Sequence, residues 1–178
     1  MRLTRVPGRA PATALGPEVR SGKTVQQLAF LAGRHLAYYR PEHYALVFFP
    51  TLADISSLVL AAVRLCIPGL SVPPGDGGSR VSEHLGAALS ESEKTELEAA
   101  VKELDARGGK LDLLAWIRSV ELSATRAGLL LAGDLRVATR ILKEEGRAIG
   151  ELGLEPKRGD LLAFMASESY GRLRERMG

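Results

Sequence analysis

The chain has 178 residues, 46% of them hydrophobic and 25% charged, with a net charge of +3. These values fit an ordinary folded protein of one domain or two small ones, and exclude disorder throughout, collagen and coiled coil. One cysteine, Cys66, excludes an internal disulfide framework and a cysteine-based zinc finger, and suits a reducing cytoplasm.

Residues 1–22 hold three prolines and three glycines without an apolar period, which predicts a leader or linker and a domain once joined to something upstream. This stretch has no apolar run of signal-peptide length. Residues 1–50 carry seven basic groups against two acidic ones, a local charge of +5, while the remainder is −2. A basic end steers toward phosphate or acidic partners. Here the basic residues are thinly spread, and four of the seven lie in the leader, whereas nucleic-acid proteins concentrate them on one element.

Thr24 with Gln27 predicts a capped helix over 25–39, closed by Pro41. The apolar string 44–49 has no second strand to pair with, so it is read as a short helix or turn. Thr51 with Asp54 opens a helix over 52–66, and Pro68 and Gly69 end it. A flexible loop is expected at 68–79. A short helix over 81–89 follows, then a surface helix over 91–106 capped by Ser90 and Glu93.

The span 111–131 is apolar nearly all round and is the expected buried central helix. Gly133 is its stop, and Asp134 caps a helix over 135–145. Residues 146–159 read as loop, and Asp160 as the cap of a last helix over 161–177. Its arginines, Arg172, Arg174 and Arg176, suit a helix C-terminus. The apolar stretches 44–67 and 113–131 are interrupted by charges and by Pro50, so neither is expected to span a membrane. The expected fold is all-α: a compact bundle of six or seven helices in a single domain over 23–178.

Four features invite a chemical reading. Ser21-Gly22-Lys23-Thr24 resembles the end of a phosphate-binding loop, but Pro17 stands at the required glycine and no strand precedes it. It reads as a linker ending in a helix cap. The densest polar and aromatic cluster is Arg34, Tyr38, Tyr39, Arg40, Glu42, His43 and Tyr44. It is either a helix end held by local hydrogen bonds or a binding surface, since Tyr and Arg are common hot-spot residues. His35, Glu42 and His43 could also ligate a metal, but the histidines are eight residues apart across a proline, so another ligand would have to come from elsewhere, for example His84 or Glu121. Finally, Arg118, Glu121, Arg126 and Asp134 lie in or near the most apolar helix. Buried charges must be paired, which predicts an internal network among these four. No nucleophile elbow or triad spacing is present, no cofactor signature is found, and Cys66 reads as a small core residue.

The segments GRHLAYYRPEHYALVFFPTLADISSLVLAAVRL, SVELSATRAGLLLAGDLRVATRIL and GDLLAFMASESYGRLRERMG resemble the C-terminal helical region of large bacterial tetratricopeptide-repeat-type proteins. The repeats themselves are absent, since no 34-residue period occurs. The resemblance implies a helical module appended to a scaffold and names no catalytic residue. The expected function is a non-enzymatic module that binds another protein through the Arg34–Tyr44 cluster. The alternatives are a metal-dependent hydrolase, or its inactive relative, using His35, Glu42, His43 and Glu121, and a basic-tailed nucleic-acid accessory.

Overall fold

The computed structural model describes residues 16–17, 21–67, 69–70, 78–146 and 149–177, with backbone alone for 78–80 and 149. Among the described residues the fold is all-α, with no strand. The sequence reading takes 23–178 as one domain; the helices group into two compact units. One is assembled from the chain up to Phe48 and from Ala115 onward, and the other from Phe49–Leu114. No described helix is long and apolar enough to cross a membrane.

In the first unit, α1 (Val25–Ala37) opens on a capping box. The Thr24 amide donates to Gln27 Oε1 at 2.8 Å and the Gln27 amide returns to Thr24 Oγ1 at 3.3 Å. The Ser21–Thr24 string therefore ends in a cap, as its sequence suggests. The short α2 (Ala45–Phe48) follows. The central helix α6 (Leu113–Ala132) begins in the second unit, and its remainder buries Ile117, Val120, Ala124 and Leu129 in the first. Gly133 stops it with φ +66°, a left-handed conformation that glycine adopts at no steric cost. Asp134 caps α7 (Leu135–Glu145), its carboxylate accepting from the amides of Arg136 and Val137 at 2.7 and 3.1 Å.

Beyond Gly146 the expectation of a loop followed by one long helix is corrected. The chain forms a 3₁₀ turn (Ile149–Glu151), then α8 (Leu154–Met165) and α9 (Glu168–Glu175). Pro156 and Gly159 suggest a loop, yet Pro156 sits in the first turn of α8, where its missing N–H has no intrahelical partner to lose. Asp160 is thus inside a helix and caps nothing. Ser167 breaks the segment and caps α9, accepting from the Tyr170 amide at 3.2 Å.

The core of this unit joins Phe30, Leu129, Ala138, Ile141, Leu142 and Leu161, all buried. Each large side chain contributes roughly 1.5–3 kcal/mol by leaving water. Helices α1 and α6 meet at two reciprocal glycines. A Cβ on Gly33 would lie 2.6 Å from the Ala127 carbonyl oxygen, and one on Gly128 would lie 2.8 Å from that of Phe30. The two backbones touch here because neither position carries a side chain.

The second unit holds α3 (Leu52–Cys66), α4 (Gly78–Ala88) and α5 (Glu91–Ala106). Helices α3 and α5 begin at the capping boxes read from sequence, Thr51 with Asp54 and Ser90 with Glu93. Helix α4 starts three residues before the expected position, inside the loop expected at 68–79. Most of the rest of that loop, like most of the expected leader, lies outside the described residues. Helix α3 packs against both α4 and α5. Ser82 Oγ donates to the Ala61 carbonyl at 3.2 Å, and Gly86 lies close against Leu65.

Candidate functional site

Two features of the described residues are candidates: a buried ionic cluster in the first unit and an apolar groove in the second.

The cluster is built on Glu121, which is fully buried on α6. Its Oε1 accepts from Arg34 Nη2 of α1 and from Lys157 Nζ of α8, both at 2.6 Å. Its Oε2 accepts from the Tyr38 hydroxyl, also at 2.6 Å. Arg34 pairs in addition with Glu145, at the end of α7. Lys157 is itself 2% exposed. Two cations and two carboxylates thus balance, and four helices converge on them. Burial pulls the Arg34 pKa down, but the charges of Glu121 and Glu145 outweigh it and raise the pKa. Burial, then the Glu121 carboxylate, push the Tyr38 hydroxyl well above its ordinary value of 10.0, so it stays a neutral donor. Both Glu121 oxygens are committed to donors inside the core, which suits joining helices rather than reaching a substrate.

The expected network of Arg118, Glu121, Arg126 and Asp134 is corrected. Only Glu121 is buried, and each of the four binds elsewhere. Arg118 Nε donates to the Gly150 carbonyl at 2.8 Å, and its side chain pairs with Glu151 at 3.3 Å. Arg126 forms a two-pronged pair with Asp160, one arm at 2.8 Å, and lies over the Phe164 ring at 5.6 Å. Asp134 is the cap of α7. Successive charges on one helix point round its circumference, so each meets a different neighbour.

The Arg34–Tyr44 residues likewise divide. Arg34 and Tyr38 turn inward to Glu121. His43 is buried, with Nδ1 donating to the Ala37 carbonyl at 2.8 Å. Arg40 and Glu42 are exposed and pair with each other. Tyr39 and Tyr44 are half-buried in a ladder of ring contacts, His35 to Tyr39 at 5.0 Å, Tyr39 to Tyr44 at 6.0 Å and Tyr44 to Phe48 at 5.4 Å. His35 is buried too, and that burial holds its imidazole below the ordinary value. Among the described residues no group of three or more His, Cys, Asp or Glu stands close enough to share a metal ion.

The groove belongs wholly to the second unit and encloses about 510 Å³. Ser56, Val59, Leu60 and Val63 of α3 form one wall, at the i, i+3, i+4, i+7 spacing of a single helix face, and Ile67 extends it just past the helix end. Val101, Leu104 and Asp105 of α5 form another, and Leu111 and Leu113 complete it. Leu111 is 52% exposed and Ile67 41%, so the groove opens to solvent.

Sequence reading missed Lys157, Glu145 and the groove. Lys157 falls between Leu154 and Leu161, at i+3 and i+7 of one helix face. A cation within an apolar stripe is a sign of a buried partner, and it is legible only once 154–165 is taken as a helix. The groove carries no motif, since core-forming and groove-forming leucines look alike in sequence.

No protein-family model matches the chain, nor does any curated protein or solved structure.

Proposed function

We propose that the chain is a non-enzymatic helical module that binds another protein through the groove of the Phe49–Leu114 unit. The groove carries this reading. It is apolar, open and about three helical turns long on its α3 wall, the form that receives an amphipathic helix. The ionic cluster supports it in a second way: its charges are balanced within the fold, which fits a rigid frame. The resemblance to a helical region appended to scaffold proteins agrees with the same reading.

The reading moves the contact surface away from the Arg34–Tyr44 cluster, because Arg34, Tyr38 and His43 are occupied within the fold. The test is recovery of binding proteins on the purified chain, compared with Leu111→Glu, which places a charge at the exposed lip of the groove. A partner held by the parent and lost from the folded variant supports the module. Identical recovery from both refutes the groove as its contact surface.

A further inference from the structure

The stretch of chain that builds the groove is acidic. Residues 49–114 carry six basic against ten acidic groups, a net charge of −4, although the whole chain is +3. Helix α5 concentrates this charge, with six carboxylates and two lysines. Some of them are already engaged: Glu93 caps the helix, Glu91 pairs with Lys94 and Glu103 with Arg107. Asp105, in the groove wall, and Glu98, two turns earlier on the same side of α5, have no ion pair among the described residues. Glu98 lies near the end of α3, where its charge helps to raise the Cys66 thiol's pKa after burial has done so.

We infer that the groove takes a basic amphipathic helix from a partner protein, about three turns long, its apolar face in the groove and its Lys or Arg side chains over Glu98 and Asp105. The inference rests on the interaction reading above and names the partner's chemistry. The α3 wall runs from Ser56 to Ile67, close to 16 Å at 1.5 Å per residue. That length matches apolar anchors at i, i+4, i+7 and i+11 of a bound helix, about three turns. The lining offers one carboxylate and one hydroxyl, too few polar groups to orient a polar ligand, so apolar contact supplies adhesion and the flanking carboxylates supply selection.

The experiment uses two synthetic peptides of about 16 residues with the same leucine face. One carries Lys and Arg on its flanks and the other carries Glu. Binding to the full chain is followed by fluorescence anisotropy at low and high salt. The basic peptide is expected to bind about tenfold more tightly at low salt and to lose that advantage as salt rises. The double variant Glu98→Lys, Asp105→Lys is expected to erase or reverse the preference. Leu111→Glu, with Val63→Glu as a second disruption inside the groove, is expected to weaken both peptides. Equal binding of the two peptides, still lost on Leu111→Glu, overturns the basic-helix inference and leaves the groove reading standing. Binding unchanged by either groove variant overturns both. Binding of neither peptide, or a concentration-dependent dimer that occupies the groove, overturns the inference in favour of a small apolar ligand or a second copy.

Discussion

Glu121→Gln is the sharpest test of how the first unit is held together. The change keeps size and shape but removes the charge on which Arg34 and Lys157 converge. Each cation nitrogen lies 2.6 Å from the same oxygen, so the two nitrogens are no farther apart than twice that distance. Without the carboxylate between them, two positive charges no more than about 5 Å apart repel by at least roughly 3 kcal/mol at an effective dielectric constant near 20. Breaking a buried pair by removing one partner costs about 3–5 kcal/mol in general, which agrees. Lys157→Met is expected to cost less, because Glu121 keeps Arg34 and Tyr38. The double variant is expected to be more stable than the two separate losses imply, by at least about 1 kcal/mol. The assay is urea unfolding followed by the fluorescence of Trp116, the only tryptophan, which sits on α6 in the unit that holds the cluster. A loss below about 1 kcal/mol for Glu121→Gln, or strict additivity with Lys157→Met, refutes the claim that this charge organises the core.

Other outcomes follow from the helix contacts. Gly33→Ala forces a methyl against the Ala127 carbonyl and is expected to destabilise the protein by about 1–3 kcal/mol, whereas Gly159→Ala, in open space on α8, is expected to stabilise it by about 0.5–1 kcal/mol; thermal unfolding separates the two signs. Ser167→Ala removes the cap of α9 and is expected to cost about 0.5–2 kcal/mol, with faster amide exchange at Tyr170 and Gly171. His35 has its pKa lowered by burial, so below about pH 6.5 the unfolded chain takes up a proton that the folded chain resists. Its contribution is fully present above that pH and is lost as pH falls, and His35→Gln is expected to flatten the acid limb of a stability–pH profile. Tyr38 behaves in the opposite sense: its raised pKa gives stability that is present below about pH 10 and lost above it, and Tyr38→Phe removes that alkaline limb.

Much of the helical frame was legible because its boundaries are chemical. The boxes at Thr24, Thr51 and Ser90, and the Gly133–Asp134 stop and cap, each act through bonds within four residues, so sequence spacing is enough to locate them. The end of the chain was misread where a local signal had two meanings. Pro156 breaks a helix in its interior but is harmless in its first turn, and only packing of Leu161 and Lys157 decides which applies. The candidate sites were less legible still. Glu121 was rightly expected to be buried and paired, yet its partners come from residues 34, 38 and 157, and no spacing rule reaches that far. The exposed groove depends on which apolar face is left uncovered, which is a property of packing rather than of periodicity.

The first unit is assembled from two stretches of chain with the whole of the second unit between them. Arg34 and Glu121 are 87 residues apart. At about 5–20 residues per second, a ribosome needs roughly 4–17 seconds to make the interval. During that time α1 exists with Phe30 and Arg34 but without the α6 surface that will bury them, because the whole of Phe49–Leu114 is made in between. The newborn chain therefore carries α1 as an orphan helix until the residues from 115 onward are made.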